Sequence, residues 1–475
     1  MRGFIVFLIL FTSATLLAQS GRVDPANPAT PNAAAVGPAN DLPVKALFDE
    51  ANSYRDRKYA EFEAKKVPFS ESLATRTNLE KRQLAAKYAA LVRTRTNLAG
   101  DDYYYLGLLH WLAQNLDDTT ESLGKFLALE LKDPEKAQAS RSLIVIVMAK
   151  QKKLDEAEKF LAEYLKNEPV KVMERWRMET ELTKAYQGEK LYAKAVPHAD
   201  ESYKTSKALV TTAATRAGAL DGLLDAGMLV FEANRDAGNQ KEADAALDDM
   251  RKIAGELGAP SLYFYAADKK ITYMIETGRK AQALEAYLAS LISAGKDLLT
   301  DTQRKDAIMR LKKREKHYNL LGEQAPELTG IAASFPGDAK TLAALRGKIV
   351  LLDFWATWCG PCYSAFPSLS EWETEYKKDG LVILGLSRYE GRVNGAVMDN
   401  PTELAFLKKF RKDEKLTYDL LVGSDPMNHI AYGATALPTT VLIDRKGTIR
   451  YIESGTSTTR LEELRETIVR LLAEK

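Results

Sequence analysis

The sequence predicts a multidomain chain in which an all-α helical-repeat region precedes an α/β domain with a partly parallel sheet. Three observations carry this. At 475 residues the chain exceeds the size at which one hydrophobic core keeps growing. From about Val44 to Leu321 apolar residues recur with helical periodicity, and chain breakers fall only in short joints. From about Gly322 the texture changes to short apolar runs bounded by Gly and Pro that alternate with helical segments, the pattern of strands covered by helices.

At the N-terminus, MRGFIVFLILFTSATLLAQSGR has a basic start at Arg2, an apolar run from Phe4 to about Leu17, and small residues near Ala18 or Ser20. This is the layout of a signal peptide over residues 1–20, and its run falls short of the ~20 residues that span a bilayer comfortably. The mature chain is therefore expected outside the cytoplasm, tethered to the membrane only if the segment is not cleaved. Residues 21–43 are rich in Pro, Ala, Asn and Gly and nearly free of large apolar side chains. They cannot repay the entropy of ordering and are expected to be a flexible linker.

Residues 44–321 carry a weak repeat. DDTTESLGKFLALELKDP ends at Pro134 and LDEAEKFLAEYLKNEP ends at Pro169, 35 residues later. In each, a small residue (Ser122, Ala157) stands twelve before the proline and a large apolar one (Phe126, Leu161) eight before it. That is the second-helix pattern of a tetratricopeptide-like unit, where the small residue lets two helices approach and the proline ends the second. Looser echoes at Ala195, Ala243 and Ala283 are spaced by 38, 48 and 40 residues, so the array is degenerate. A plain bundle without true repeats is the competing expectation.

In residues 322–475 the run Ile349–Phe354 is expected as a buried strand, followed by a helix to about Lys378 and a strand at 381–387. A helix at 401–414, strands at 439–445 and 448–454 around the Lys446-Gly447 turn, and a terminal helix from about Thr459 complete the domain. Net charge is +2, from 67 Lys and Arg against 65 Asp and Glu, and no basic stripe with interleaved aromatics appears, so nucleic-acid binding is not expected.

The only cysteines are Cys359 and Cys362. Three positions apart, they close too small a loop to staple an exported fold. They lie between a buried strand and the opening of a helix. A thiolate at Cys359 would meet unpaired N–H groups and the positive end of the helix dipole, which favour the anion that attacks disulfides. Cys362, one turn on and less exposed, is placed to resolve a mixed disulfide. Gly360 leaves room for a partner chain, and Pro361 suits a first turn where its missing N–H would have been unpaired. Zinc would need two further ligands, and of the four histidines (His110, His198, His317, His429) at least three lie far outside any finger-like spacing. A c-type haem would need a histidine where Tyr363 stands. No metal or cofactor is expected, and an inert buried pair leaves the flanking context unexplained.

That context is KIVLLDFWATWCGPC, followed about 75 residues later by ALPTTVLIDRKG. It resembles the thioredoxin fold and, within it, the TlpA/ResA-like exported thiol-disulfide oxidoreductases, which the stretch Gly322–Gly347 and the insertion RYEGRVNGAVMDN also suit. The resemblance covers about residues 322–475 only. It implies an enzyme acting on protein thiols and disulfides, with Cys359 attacking, Cys362 resolving, and the two forming a redox-active disulfide. It also implies that Trp358 flanks the site and that Leu437-Pro438 faces it, with Pro438 cis and the Leu437 backbone pairing with a substrate strand. The implied setting is a bacterial periplasm or cell envelope, with an upstream thiol protein as electron donor; the resemblance says nothing of the helical array, where a peptide or protein partner is expected because such arrays commonly bind peptides on a concave face.

Asp353 interrupts the apolar run and would point inward beneath the motif. Burial should raise its pKa and suit it to exchange a proton with Cys362, the role the resemblance assigns to the matching acid. A carboxylate bonded to backbone or solvent at the strand end is the alternative. Many ResA-like proteins carry a glutamate three residues after the second cysteine. Here Ala365 stands there, which weakens transfer of a cytochrome-maturation role. The Gly-Pro pair between the cysteines leans toward reductase. Two competing functions remain: a peroxiredoxin-like thiol peroxidase, and a non-enzymatic interaction scaffold dominated by the helical array.

Overall fold

The computed structural model describes residues 42–212, 216–393 and 395–474; the expected signal peptide and nearly all of the linker lie outside the described residues. The chain begins with α1 (Val44–Asn52), α2 (Tyr54–Ala64), α3 (Glu71–Arg93), α4 (Asp102–Leu112), α5 (Leu116–Leu127), α6 (Pro134–Lys150) and α7 (Leu154–Lys166). It continues through α8 (Val172–Gly188), α9 (Tyr192–Thr212), α10 (Arg216–Asp236), α11 (Gln240–Glu256), α12 (Pro260–Glu276), α13 (Lys280–Asp297) and α14 (Asp301–Leu320). An all-helical region thus precedes the α/β part. Contacts divide the described residues into two compact units: those up to 147 with 160–169, and 148–159 with those from 170 onward.

In the first unit, Leu47 of α1, Val92 of α3 and Leu109 of α4 close a small apolar core. Pro134 corrects one sequence expectation. It does not end a helix. α5 has already stopped at Leu127, and Pro134 opens α6, where a residue without an N–H loses nothing because first-turn N–H groups have no helical partner.

In the second unit the α/β part adds β1 (Ile331–Phe335), β2 (Ile349–Phe354), α15 (Gly360–Tyr376), β3 (Leu381–Arg388), β4 (Arg392–Val393), β5 (Ala396–Val397) and α16 (Asn400–Asp413). It closes with β6 (Asp419–Gly423), α17 (Met427–Tyr432), β7 (Thr439–Ile443), β8 (Ile449–Ser454) and α18 (Thr458–Ala473). Six strands form one sheet in the order β1-β6-β3-β2-β7-β8, while β4 and β5 pair apart from it. β2 runs parallel to β3 and β3 parallel to β6, and the outer pairings are antiparallel. This is the thioredoxin-fold arrangement. β7 stops two residues earlier than the sequence suggests, because the Asp444 carboxylate accepts from the Lys446 and Thr448 N–H groups and turns the chain into the hairpin. β1, β6 and α17 are elements the sequence reading did not name.

Every residue of β2 is buried, so its alternation assigns side chains to two cores. Ile349 and Leu351 enter a core shared with α15, α16 and α18. Val350, Leu352 and Phe354 enter the other, where Ile271 of α12, Tyr287 of α13 and Leu311 and Tyr318 of α14 pack. The last three helices of the helical region therefore cover one face of the sheet. Leu311 is fully buried in that shared core. Leu311→Ala should cost about 2–5 kcal/mol. In urea melts, the helical circular-dichroism signal and the tryptophan fluorescence should shift to lower denaturant together; a shift in the helical signal alone would show the two parts to be energetically separate.

Candidate active site

β2 carries the chain to the edge of the sheet at Phe354, and buried Trp355 and Ala356 follow it. Ala356 O then accepts from Cys359 N at 3.1 Å, and Cys359 O from Cys362 N at 3.0 Å, tightening the chain into the first turn of α15. Cys359 is the N-cap residue, Gly360 opens the helix, and Pro361 stands in its first turn. The Tyr363 hydroxyl donates to Thr357 O at 2.8 Å, which ties the segment before the motif to the helix after it. The helix runs through Pro367 to Tyr376, burying Phe366, Leu369 and Trp372. Cys359 and Cys362 are joined by a disulfide, with Cα atoms 5.4 Å apart.

Access separates the two sulfurs. Cys359 is 3% exposed and Cys362 is fully buried. The surface around them is open, since Gly360 and Pro361 are exposed and the Trp358 ring is 65% exposed. Cys359 is the one at the N-terminus of the 17-residue helix, where the unpaired N–H groups and the dipole favour an anion.

The strand register supplies the opposite wall. Phe354 pairs with Thr439 and Asp353 with Thr440 across the β2/β7 ladder. Pro438, immediately before Thr439, is thus brought to the edge from which the cysteine segment departs. The Leu437–Pro438 peptide is cis, as the resemblance implied. Pro438 is buried, and half-buried Leu437 packs against both cores. The C-terminal ends of β2, β3 and β6 lie at this same edge, so α17, following β6, brings exposed Met427 and Ile430 to it.

Asp353 points to the cysteine side of the sheet, because Ile349 and Leu351, two and four positions earlier, face the core that holds both cysteines. It is 1% exposed, and neither carboxylate oxygen has a hydrogen-bond partner. Burial alone pushes its pKa up to about 7. Among the described residues, no backbone group bonds to either oxygen.

The structure adds three residues that the sequence reading passed over. Asp353 pairs across the parallel ladder with Gly385. A Cβ at Gly385 would lie 2.5 Å from Leu420 Cδ2 and 3.1 Å from both Trp355 Nε1 and Tyr418 Cε2. The absent side chain is what admits Trp355 and Tyr418 beside the carboxylate's strand. Trp355 Nε1 and the Tyr418 hydroxyl are also buried without partners. Burial, and then the Asp353 charge, hold Tyr418 well above its usual range. A glycine inside an otherwise apolar strand was the available signal, since it marks a close approach.

The AhpC/TSA family model matches residues 321–452. The thiol-disulfide oxidoreductase ResA of Geobacillus thermodenitrificans is 33% identical over 144 residues, which cover 30% of this chain and 75% of that protein. The thioredoxin-like protein YneN of Bacillus subtilis is 31% identical over 137 residues, covering 29% and 73%. Among solved structures, the thioredoxin domain of a thiol-disulfide oxidoreductase from Bacteroides vulgatus matches with 26% identity and a TM-score of 0.26, covering 31% of this chain and 97% of that one.

The raised pKa of Asp353 has a thermodynamic sign. Between about pH 3.8 and 7 the unfolded chain has released this proton and the folded chain has kept it, so stability is fullest below the lower value and falls as pH rises through the upper. Asp353→Asn should remove that slope and raise stability above pH 7 by about 4 kcal/mol. Urea melts at pH 4, 6 and 8 measure this; a variant as pH-sensitive as the parent between pH 4 and 8 would show that Asp353 is not the titrating group.

Proposed function

The chain belongs to the ResA-type thiol-disulfide oxidoreductases, and on that footing we propose that it reduces disulfides of exported proteins through Cys359 and Cys362. The observation that carries this reading is the asymmetry of the pair, one sulfur reachable at a helix N-terminus and the other sealed beneath it on the face where a buried, unpartnered carboxylate points.

In the reduced enzyme the Cys359 thiolate attacks a substrate sulfur. A mixed disulfide forms, the substrate S–S bond breaks, and the other substrate sulfur leaves as a thiolate that takes up a proton. Cys362 then gives up its proton and attacks Cys359 Sγ, closing the internal disulfide and releasing the second substrate thiol. Two electrons pass to the substrate. Asp353, with its pKa near 7, is poised to take the Cys362 proton at neutral pH. Trp358, Gly360 and Pro361 form the surface the substrate meets, and the Leu437 backbone beside Pro438 pairs with its extended chain. An upstream thiol protein returns the electrons.

Export is supported by the signal-like N-terminal sequence. No described helix is long and apolar enough to cross a membrane. Residues 322–475 are then the redox domain, and residues 44–321 a degenerate tetratricopeptide-like region that holds a peptide or protein partner. Ala365, in place of the glutamate common in ResA-like proteins, leaves the proton to Asp353 and favours general disulfide reduction over a dedicated role in cytochrome maturation. The AhpC/TSA match favours peroxide reduction as a second reading, although both cysteines sit in one helical turn and Thr357 precedes Cys359 by two residues.

Purified protein with a dithiol donor is expected to reduce insulin and to consume little hydrogen peroxide; the reverse preference would select the peroxidase reading. Cys362→Ala should accumulate mixed disulfides with envelope proteins, visible as bands that vanish on reduction. Cys359→Ala should form none. Equal trapping by both variants would remove the assigned order of attack.

A further inference from the structure

The substrate-facing loop, residues 434–438, hangs between two points, and one turn of α14 holds the first directly and braces the second through β8. At its start, Gly433 adopts a left-handed conformation (φ 66°) that ends α17. A Cβ there would lie 2.8 Å from Lys316 Cγ and 3.1 Å from His317 Cδ2, so the loop's backbone is pressed onto α14. The Gly433 carbonyl lies 3.0 Å from His317 Nε2. At the loop's exit, Pro438 O accepts from Gly455 N at 2.7 Å, and Thr439 donates to Ala436 O at 2.6 Å. β7 begins at Thr439 and pairs with the end of β8, Thr439 facing Ser454 and Thr440 facing Glu453. There the buried Arg314 guanidinium donates from Nη1 to Ile452 O at 2.9 Å and from Nη2 to Glu453 Oε1 at 2.6 Å.

Arg314 and His317 act as one piece. Arg314 Nη1 lies 2.9 Å from His317 Nδ1, and an arginine can only donate, so Nδ1 is an acceptor and the ring proton sits on Nε2, aimed at Gly433 O. Burial, reinforced by the Arg314 charge, lowers His317 to about 4 and keeps the ring neutral. Asp268 of α12 anchors the assembly, accepting from Arg314 Nε at 2.9 Å and from the Tyr318 hydroxyl at 2.6 Å. With Asp268, His317, Ile452 and Glu453 as partners, the planar fork is committed in four directions, a geometry lysine cannot reproduce.

We propose that Arg314 and His317 are positioning residues for the redox site, through which the helical region sets where the 434–438 loop receives a protein substrate. This rests on reading Cys359 and Cys362 as the exchange centre. A mixed disulfide forms only if the substrate strand lies correctly against residue 437, and an error near 1 Å in such a placement costs up to about 100-fold. A small disulfide needs no strand pairing and should not sense the brace.

The test uses the full chain, with insulin as the protein substrate and Ellman's reagent as the small disulfide. His317→Leu, which keeps neither hydrogen bond, should raise the KM for insulin about tenfold while kcat stays within about twofold. Its rate with Ellman's reagent and its reduction potential should not change. His317→Gln restores a donor toward Gly433 O and should recover most of the insulin KM. Arg314→Lys, which keeps the charge between Asp268 and Glu453 while losing the fork, should show the same split and stands in if His317→Leu fails to melt cooperatively. Unchanged insulin KM in these variants, or equal losses with insulin and Ellman's reagent, would overturn the proposal. A parent protein that does not reduce insulin would overturn the oxidoreductase reading beneath it.

Discussion

Burial of β2 on both faces is the constraint from which the rest of the α/β part follows. A strand flanked by neighbours on both edges and covered on both sides has no solvent-facing position, so each of its six side chains must find an apolar or compensated environment. Five do so by being Ile, Val, Leu or Phe. The sixth, Asp353, does not, and it faces the side on which α15 carries the cysteines. The strand that holds the sheet together therefore also places the one group in it that is costly to ionise.

That cost shows in the proton affinity of the carboxyl group. A buried carboxyl group with no protein partner at either oxygen holds its proton to about pH 7, where an exposed aspartate would long since have lost it. Burial alone brings Asp353 there, without a neighbouring charge. Gly385 completes the arrangement. Only a residue without a side chain lets Trp355 and Tyr418 close over the strand, and Trp355 in turn stacks on Phe410 with ring centroids 5.2 Å apart.

The opposite face of β2 gives the helical region a part in the same fold. Leu311, Tyr318 and their neighbours on α12 and α13 fill the core beneath the sheet, and Arg314 threads a charge through it. A buried guanidinium is tolerable only when its donors are paired, and Asp268 and Glu453 come from opposite sides of that interface. The apolar core supplies the adhesion. The ion pairs fix the register in which α14 meets β8 and the end of α17.

What the sequence alone determined is the local chemistry. Cys359, Gly360, Pro361 and Cys362 between an apolar run and a helix imply a helix-capped thiol wherever the domain sits, because dipole and turn geometry act within a few residues. β2, β3 and the β7-β8 hairpin were legible because their runs are long or bounded by Gly and Pro. β1, β6 and α17 were not legible, because no long apolar run marks them and their structure is set by the neighbours they pair with. Tertiary structure decided the rest. Pairing register set which residues stand beside Asp353, and it made Gly385, Trp355 and Tyr418 part of the site across sequence separations no local pattern spans. Arg314 and His317 read in sequence as ordinary polar positions on a charged helix. Only the packing of α14 against the sheet, 116 residues from Gly433 and 139 from Glu453, turns them into a buried brace, because burial and partner geometry are properties of the assembled core and not of any one segment.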